Sequence, residues 1–80
     1  MPPRHRRFAA NREECVHARV VAGLTLGKAS DTLGVSSTHL GYIESGRRQP
    51  SPGLLARMAA LYSVPIESLF TVTVTEQDVA

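Results

Sequence analysis

Eighty residues with nine Lys/Arg, seven Asp/Glu and a single Cys are expected to form one domain, burying about 60 % of the surface that its unfolded chain exposes. Neither a second domain nor an internal disulfide is expected, and no apolar run approaches the roughly 20 residues of a membrane span. The net charge of +2 is unevenly placed: Arg4, Arg6, Arg7 and Arg12 precede any acid, whereas the last ten residues hold Glu76 and Asp78 and no base. Without that tail nine bases face five acids, a balance that suits a nucleic-acid partner. The Arg-rich start is not followed by an apolar signal segment, and thiols are scarce. A soluble protein of a reducing, cytoplasmic compartment is therefore expected.

Residues 1–10 are rich in Pro and Arg, and Pro2 and Pro3 cannot join a helix interior, so a basic flexible arm is expected there. Its Arg4, Arg6 and Arg7 suit either a minor-groove or phosphate contact or, preferred, a solvated tail. The folded domain is expected over residues 11–70. Asn11 is placed to cap a first helix, with Glu14 three residues on, running to about Ala22 before Gly23 ends it. Cys15, Ala18 and Ala22 form its inward face, small residues that permit close packing. Arg19, near that face, needs a partner.

The stretch Leu26 to Glu44 predicts two short helices joined by a turn. Leu26, Ala29 and Leu33 recur at helical spacing after a capping Thr25, and Gly34 suits the left-handed backbone that ends a helix. Ser36 is placed to cap the next helix, where Leu40 and Ile43 share one face and Val35 enters the core from the turn. So short a turn sets the two helices at a steep angle and leaves the face of Ser37, Thr38, Gly41 and Tyr42 open. Gly46 closes that helix, and the basic loop Arg47-Arg48-Gln49-Pro50 follows.

Ser51 with Pro52 is a strong helix start, and Leu54, Leu55, Met58, Leu61 and Tyr62 then recur on one face. The apolar, Pro-initiated segment Val64 to Phe70 predicts a fifth helix carrying Ile66, Leu69 and Phe70. In the C-terminal tail, residues 71–80, the segment TVTVT alternates strictly and favours an extended conformation. A lone strand has no partner within the chain, which leaves pairing with its copy at a dimer interface or, preferred, a flexible tail.

From Val16 to Phe70 the chain resembles the helix-turn-helix domain of lambdoid phage repressors and Cro, the Xre-type regulators. The resemblance rests on AGLT at 22–25, LGVSSTHLGYIESGRRQPS at 33–51 and LLARMAALYSVPIESLF at 54–70, in order and without a gap. It implies an all-α, five-helix lambda-repressor-like domain whose helices 2 and 3 form the helix-turn-helix. It further implies a homodimer on double-stranded DNA, acting as a transcriptional regulator, a repressor by preference, on a two-fold symmetric operator at the nucleoid. Arg19 and Glu44 match the family's ion pair between the first helix and the end of the third. Ser37, Thr38 and Tyr42 match its base-contacting places, with His39 on the flank, and Arg47 and Arg48 match its phosphate-contacting loop. Lys28 and the helix starts at Thr25 and Ser51 add further phosphate candidates. Two residues depart from the family: Leu26 stands where a phosphate-binding Gln is frequent, and Ala29 where a larger apolar residue is usual.

None of the candidate readers makes the bidentate Arg–guanine or Gln–adenine pattern, worth about 1 to 3 kcal/mol per pair, so direct readout is expected to be modest. Catalysis, a metal, a cofactor and a small-molecule ligand are not expected. His5, His17 and His39 fall in three different segments without ligand spacing, Cys15 with His17 is only a pair, and Glu13 with Glu14 sits on a solvated helix start. The alternative from another class is a protein-interaction module of the same fold, such as an antitoxin or coactivator that bridges partners.

Overall fold

The computed structural model describes residues 4–76, with the side chains of residues 9–71. Its elements run β1 (Arg4–Ala10), α1 (Arg12–Val21), α2 (Leu26–Leu33), α3 (Ser37–Glu44), α4 (Pro52–Tyr62), a 3-10 turn (Ile66–Leu69) and β2 (Phe70–Glu76). Each α-helix begins on a side-chain cap. Asn11 accepts from the Glu14 amide at 3.2 Å, Thr25 from Lys28 at 3.1 Å, Ser36 from His39 at 3.0 Å and Ser51 from Leu54 at 3.1 Å. Such a cap contributes about 1 kcal/mol.

The turn between α2 and α3 depends on Gly34, whose φ of +74° is strained for any residue with a Cβ. That conformation lets the Gly34 amide donate to the Asp31 carbonyl at 3.2 Å and the Val35 amide to Ser30 at 3.0 Å, closing the helix end. The Arg57 guanidinium of α4 donates to the Leu33 carbonyl, a further tie on the same end. The core lies where the four helices meet: Cys15, Ala29, Leu33, Leu40, Ile43, Met58 and Leu69 all keep 2 % exposure or less. Burying each of the larger of these side chains contributes about 1.5 to 3 kcal/mol.

Three expectations are corrected. The fifth helix is only a single 3-10 turn: it starts after Pro65, and Phe70 already has extended backbone, φ −141° and ψ 160°. The described residues therefore form four α-helices with a two-stranded ribbon, not an all-α five-helix domain. β1 and β2 pair antiparallel over seven positions, from Arg4 opposite Glu76 to Ala10 opposite Phe70. Residues 4–10 are thus a strand rather than a free arm, and Thr71–Thr75 has a partner within its own chain. The cause is tertiary. The Asn11 amide donates to the Leu69 carbonyl at 2.8 Å, so the two chain ends leave the helical body side by side. Residues 1–3 of the expected arm and 77–80 of the expected tail lie outside the described residues.

Candidate nucleic-acid interface

The position of α3 follows from what it buries. Leu40 and Ile43, three residues apart, keep 0 % and 1 % exposure against α1, α2 and α4. On the opposite side Ser37, Thr38 and Tyr42 are exposed and Gly41 is half-buried. His39, also half-buried, lies toward the flank, its amide held by the Ser36 hydroxyl.

The C-terminal end of α3 is fastened twice. Arg19 of α1 meets Glu44 in a two-pronged ion pair, Nε to Oε2 at 2.7 Å and Nη2 to Oε1 at 3.0 Å, with the side chains only 14 % and 10 % exposed. The third guanidinium nitrogen, Nη1, donates to the Leu24 carbonyl at 2.8 Å, so one side chain ties α1, the α1–α2 turn and α3 together. The hydrogen bonds to Glu44 raise the Arg19 pKa, outweighing the opposite effect of burial. Farther along, Arg12 donates to the Ser45 carbonyl at 3.0 Å. Gly46 leaves room for that approach: its φ of +83° favours glycine, and a Cβ there would fall 2.9 Å from the Arg12 guanidinium, which would have to shift.

The basic loop is built onto this end of the helix. The amides of Arg47 and Arg48 both donate to the Tyr42 carbonyl, at 2.8 and 3.2 Å. The Arg47 guanidinium lies 5.6 Å from the centre of the Tyr42 ring, a cation–π arrangement. Gln49 accepts from the Ala10 amide at 2.8 Å and so joins the loop to the base of the ribbon.

Of the residues singled out in the sequence, Ser37, Thr38, Tyr42 and Arg47 converge on one shallow depression, shared with Gly41 and Leu26. Lys28, Arg48, Thr25 and Ser51 are exposed outside it. The hydroxyls of Thr25 and Ser51 are already engaged as caps, so what these helix starts present to an anion is the first-turn amides. Leu26, Arg12 and Gln49 carry parts that sequence did not suggest. The Arg12 and Gln49 contacts bridge 33 and 39 positions, and nothing in residue type or spacing signals either.

Behind α3 the buried polar groups are held neutral. Burial, then Glu44 and Glu14, push the Cys15 thiol up to about 11, and its Sγ lies 3.7 Å from the Leu69 carbonyl. This is an inert core thiol rather than a nucleophile. Burial, then Glu44, push Tyr62 up to about 12, and its hydroxyl has no hydrogen-bond partner among the described residues. Among the described residues there is no cluster of three or more His, Cys, Asp or Glu that could hold a metal ion, and no helix is long and apolar enough to cross a membrane.

Two short helices crossing at a glycine turn, the second seated by its apolar face with a polar face outward and arginines beside it, define a helix-turn-helix. A family described as a helix-turn-helix domain matches residues 4–69, and the chain belongs to that family. The match agrees with the resemblance to Xre and Cro-like domains and points to DNA binding and regulation. Neither the curated proteins nor the solved structures contain a match to the chain.

Proposed function

We propose that the protein is a small Xre/Cro-type transcriptional regulator, a repressor, that binds a two-fold symmetric operator in double-stranded DNA as a homodimer in the cytoplasm. The observation that carries this is the seating of α3: capped by Ser36, buried through Leu40 and Ile43 and tied by Glu44, it keeps Ser37, Thr38 and Tyr42 outward. A helix held in this way enters a major groove about 12 Å wide as a rigid body.

Ser37 and Thr38 donate to or accept from base edges, and Tyr42 offers its ring to a thymine methyl or its hydroxyl to a phosphate. His39 serves the flank. Arg47 and Arg48, with Lys28 and the helix starts at Thr25 and Ser51, hold the phosphates that set register. Two such helices then occupy half-sites roughly 34 Å apart.

Support for a dimer comes from the ribbon. Two strands alone are marginally stable in water, and a second copy completes them. In sequence the Thr71–Thr75 segment of β2 carries no charge, which favours self-pairing between copies, whereas β1 holds Arg4, Arg6 and Arg7. Ile66 and Phe70 line an apolar cleft at the base of the ribbon with Leu55, Pro50 and Pro52. Leu69, between them in the chain, is wholly buried in the core.

Selection from a random duplex pool, followed by the mass of the complex on the enriched duplex, tests the proposal. One enriched, two-fold symmetric sequence carrying two copies is expected. A single copy on an asymmetric site removes the dimer. Weak, sequence-blind binding favours the bridging module instead, for which Val20 and Val21, 58 % and 72 % exposed on α1, would be the contact surface.

A further inference from the structure

We infer that the depression between α2 and α3 is a methyl-reading subsite that takes the C5 methyl group of a thymine in the major groove; this rests on the DNA-reading role of α3 proposed above. Leu26, the first residue of α2, and the bare backbone of Gly41 in the middle of α3 both line the depression. A Cβ at position 41 would stand 3.7 Å from Leu26 Cδ2, ordinary contact distance, so the hydrogen of Gly41 leaves open the space a methyl group fills. Thr38 lies three residues before Gly41 and Tyr42 one after it, and both line the same depression. Arg47 stands over the Tyr42 ring at 5.6 Å and restricts its swing.

The chemistry of the lining selects the ligand. The Leu26 side chain has neither donor nor acceptor, so a phosphate oxygen or a purine edge placed on it, rather than on the amides of the helix start, would lose hydration without gaining a hydrogen bond. Among the groups that base pairs present in the major groove, the thymine methyl is the apolar one. Ser37, Thr38 and Tyr42, which also line the depression, bring hydroxyls for the polar edges around that methyl. The subsite also accounts for two features that otherwise lack a reason: a helix-weakening glycine within an eight-residue helix, and an apolar side chain at the first position of α2.

The test uses the full chain and the duplex enriched from a random pool. Each thymine is replaced in turn by deoxyuridine, which removes only the methyl group, and affinity is measured for the wild type, Gly41→Ala and Leu26→Ala. At one thymine in each bound half-site the wild type is expected to lose about fourfold, the weight of one buried methyl group. Gly41→Ala adds its own methyl to open space in a helix-favouring exchange, so its thermal melt holds or rises while its thymine-to-uracil ratio falls to near one. Leu26→Ala should reduce the ratio as well. A specifically bound duplex that is indifferent to every uracil exchange overturns the subsite and leaves the DNA-reading role standing, as does a Gly41→Ala protein that keeps the full ratio. If no duplex is enriched at all, both fall.

Discussion

Leu40 and Ile43 on the inner face of α3 keep 0 % and 1 % exposure, while Tyr42, between them in the chain, keeps 38 %. The two faces of this one helix have separate duties. Inward, every group is matched: apolar side chains fill the core, and Glu44 finds Arg19. Outward, the side chains are polar, short or absent, and the cations stand on the adjoining loop. Stability and partner choice are therefore carried by different residues of the same two turns, and substitution can move one without the other.

The largest effect belongs to the inner face. Glu44→Ala leaves the largely covered Arg19 without its carboxylate and should destabilise the fold by about 3 kcal/mol, the lower end for a buried pair. A chemical or thermal melt reads this directly, and an unchanged midpoint would contradict the role given to the pair.

Next come the neutral groups behind α3. Cys15 and Tyr62 have pKa values raised in the folded protein from ordinary values of 9.0 and 10.0 to about 11 and about 12. Between those limits the unfolded chain has released protons that the native state retains, so stability falls as pH rises. The contribution is complete below about pH 9 and is lost between there and about pH 12. Tyr62→Phe removes an unpartnered buried hydroxyl, so stability at neutral pH should hold or rise by about 1 kcal/mol. The alkaline loss should also shrink. Melts that do not change between pH 9 and pH 12 would contradict the raised values.

On the outer face the stability effect nearly vanishes. Tyr42→Ala should change stability by no more than about 0.5 kcal/mol yet alter the sequences enriched from a random duplex pool. An unchanged preference removes Tyr42 from the reading set. The smallest effect is expected at the rim: Arg48→Ala should flatten the slope of log affinity against log salt by about 0.9, the loss of one neutralised phosphate. An identical slope places Arg48 outside the interface.

The helices were legible because their signals are local. Asn11, Thr25, Ser36 and Ser51 cap from the residue just outside each helix, and Gly34 marks the turn by the conformation it alone adopts without strain. The ribbon was not legible, because β1 and β2 pair across sixty or more positions and each looks unpaired in its own neighbourhood. Pro65 and the apolar run after it suggest a helix start, but the chain leaves that turn early to give Phe70 to β2. At the candidate interface the outward residues of α3 follow from helical spacing alone. The ties that set their angle, Arg12 to Ser45 and Gln49 to Ala10, follow from tertiary approach and leave no trace in the pattern.

The most direct test of the division between the two faces of α3 is the affinity of the protein for its enriched duplex relative to a scrambled duplex of the same composition, at one fixed salt concentration. An outward face that reads bases predicts a ratio of at least about a thousandfold, the lower end for specific sites. A ratio near one would mean that α3 presents no sequence-reading surface, and would contradict the account.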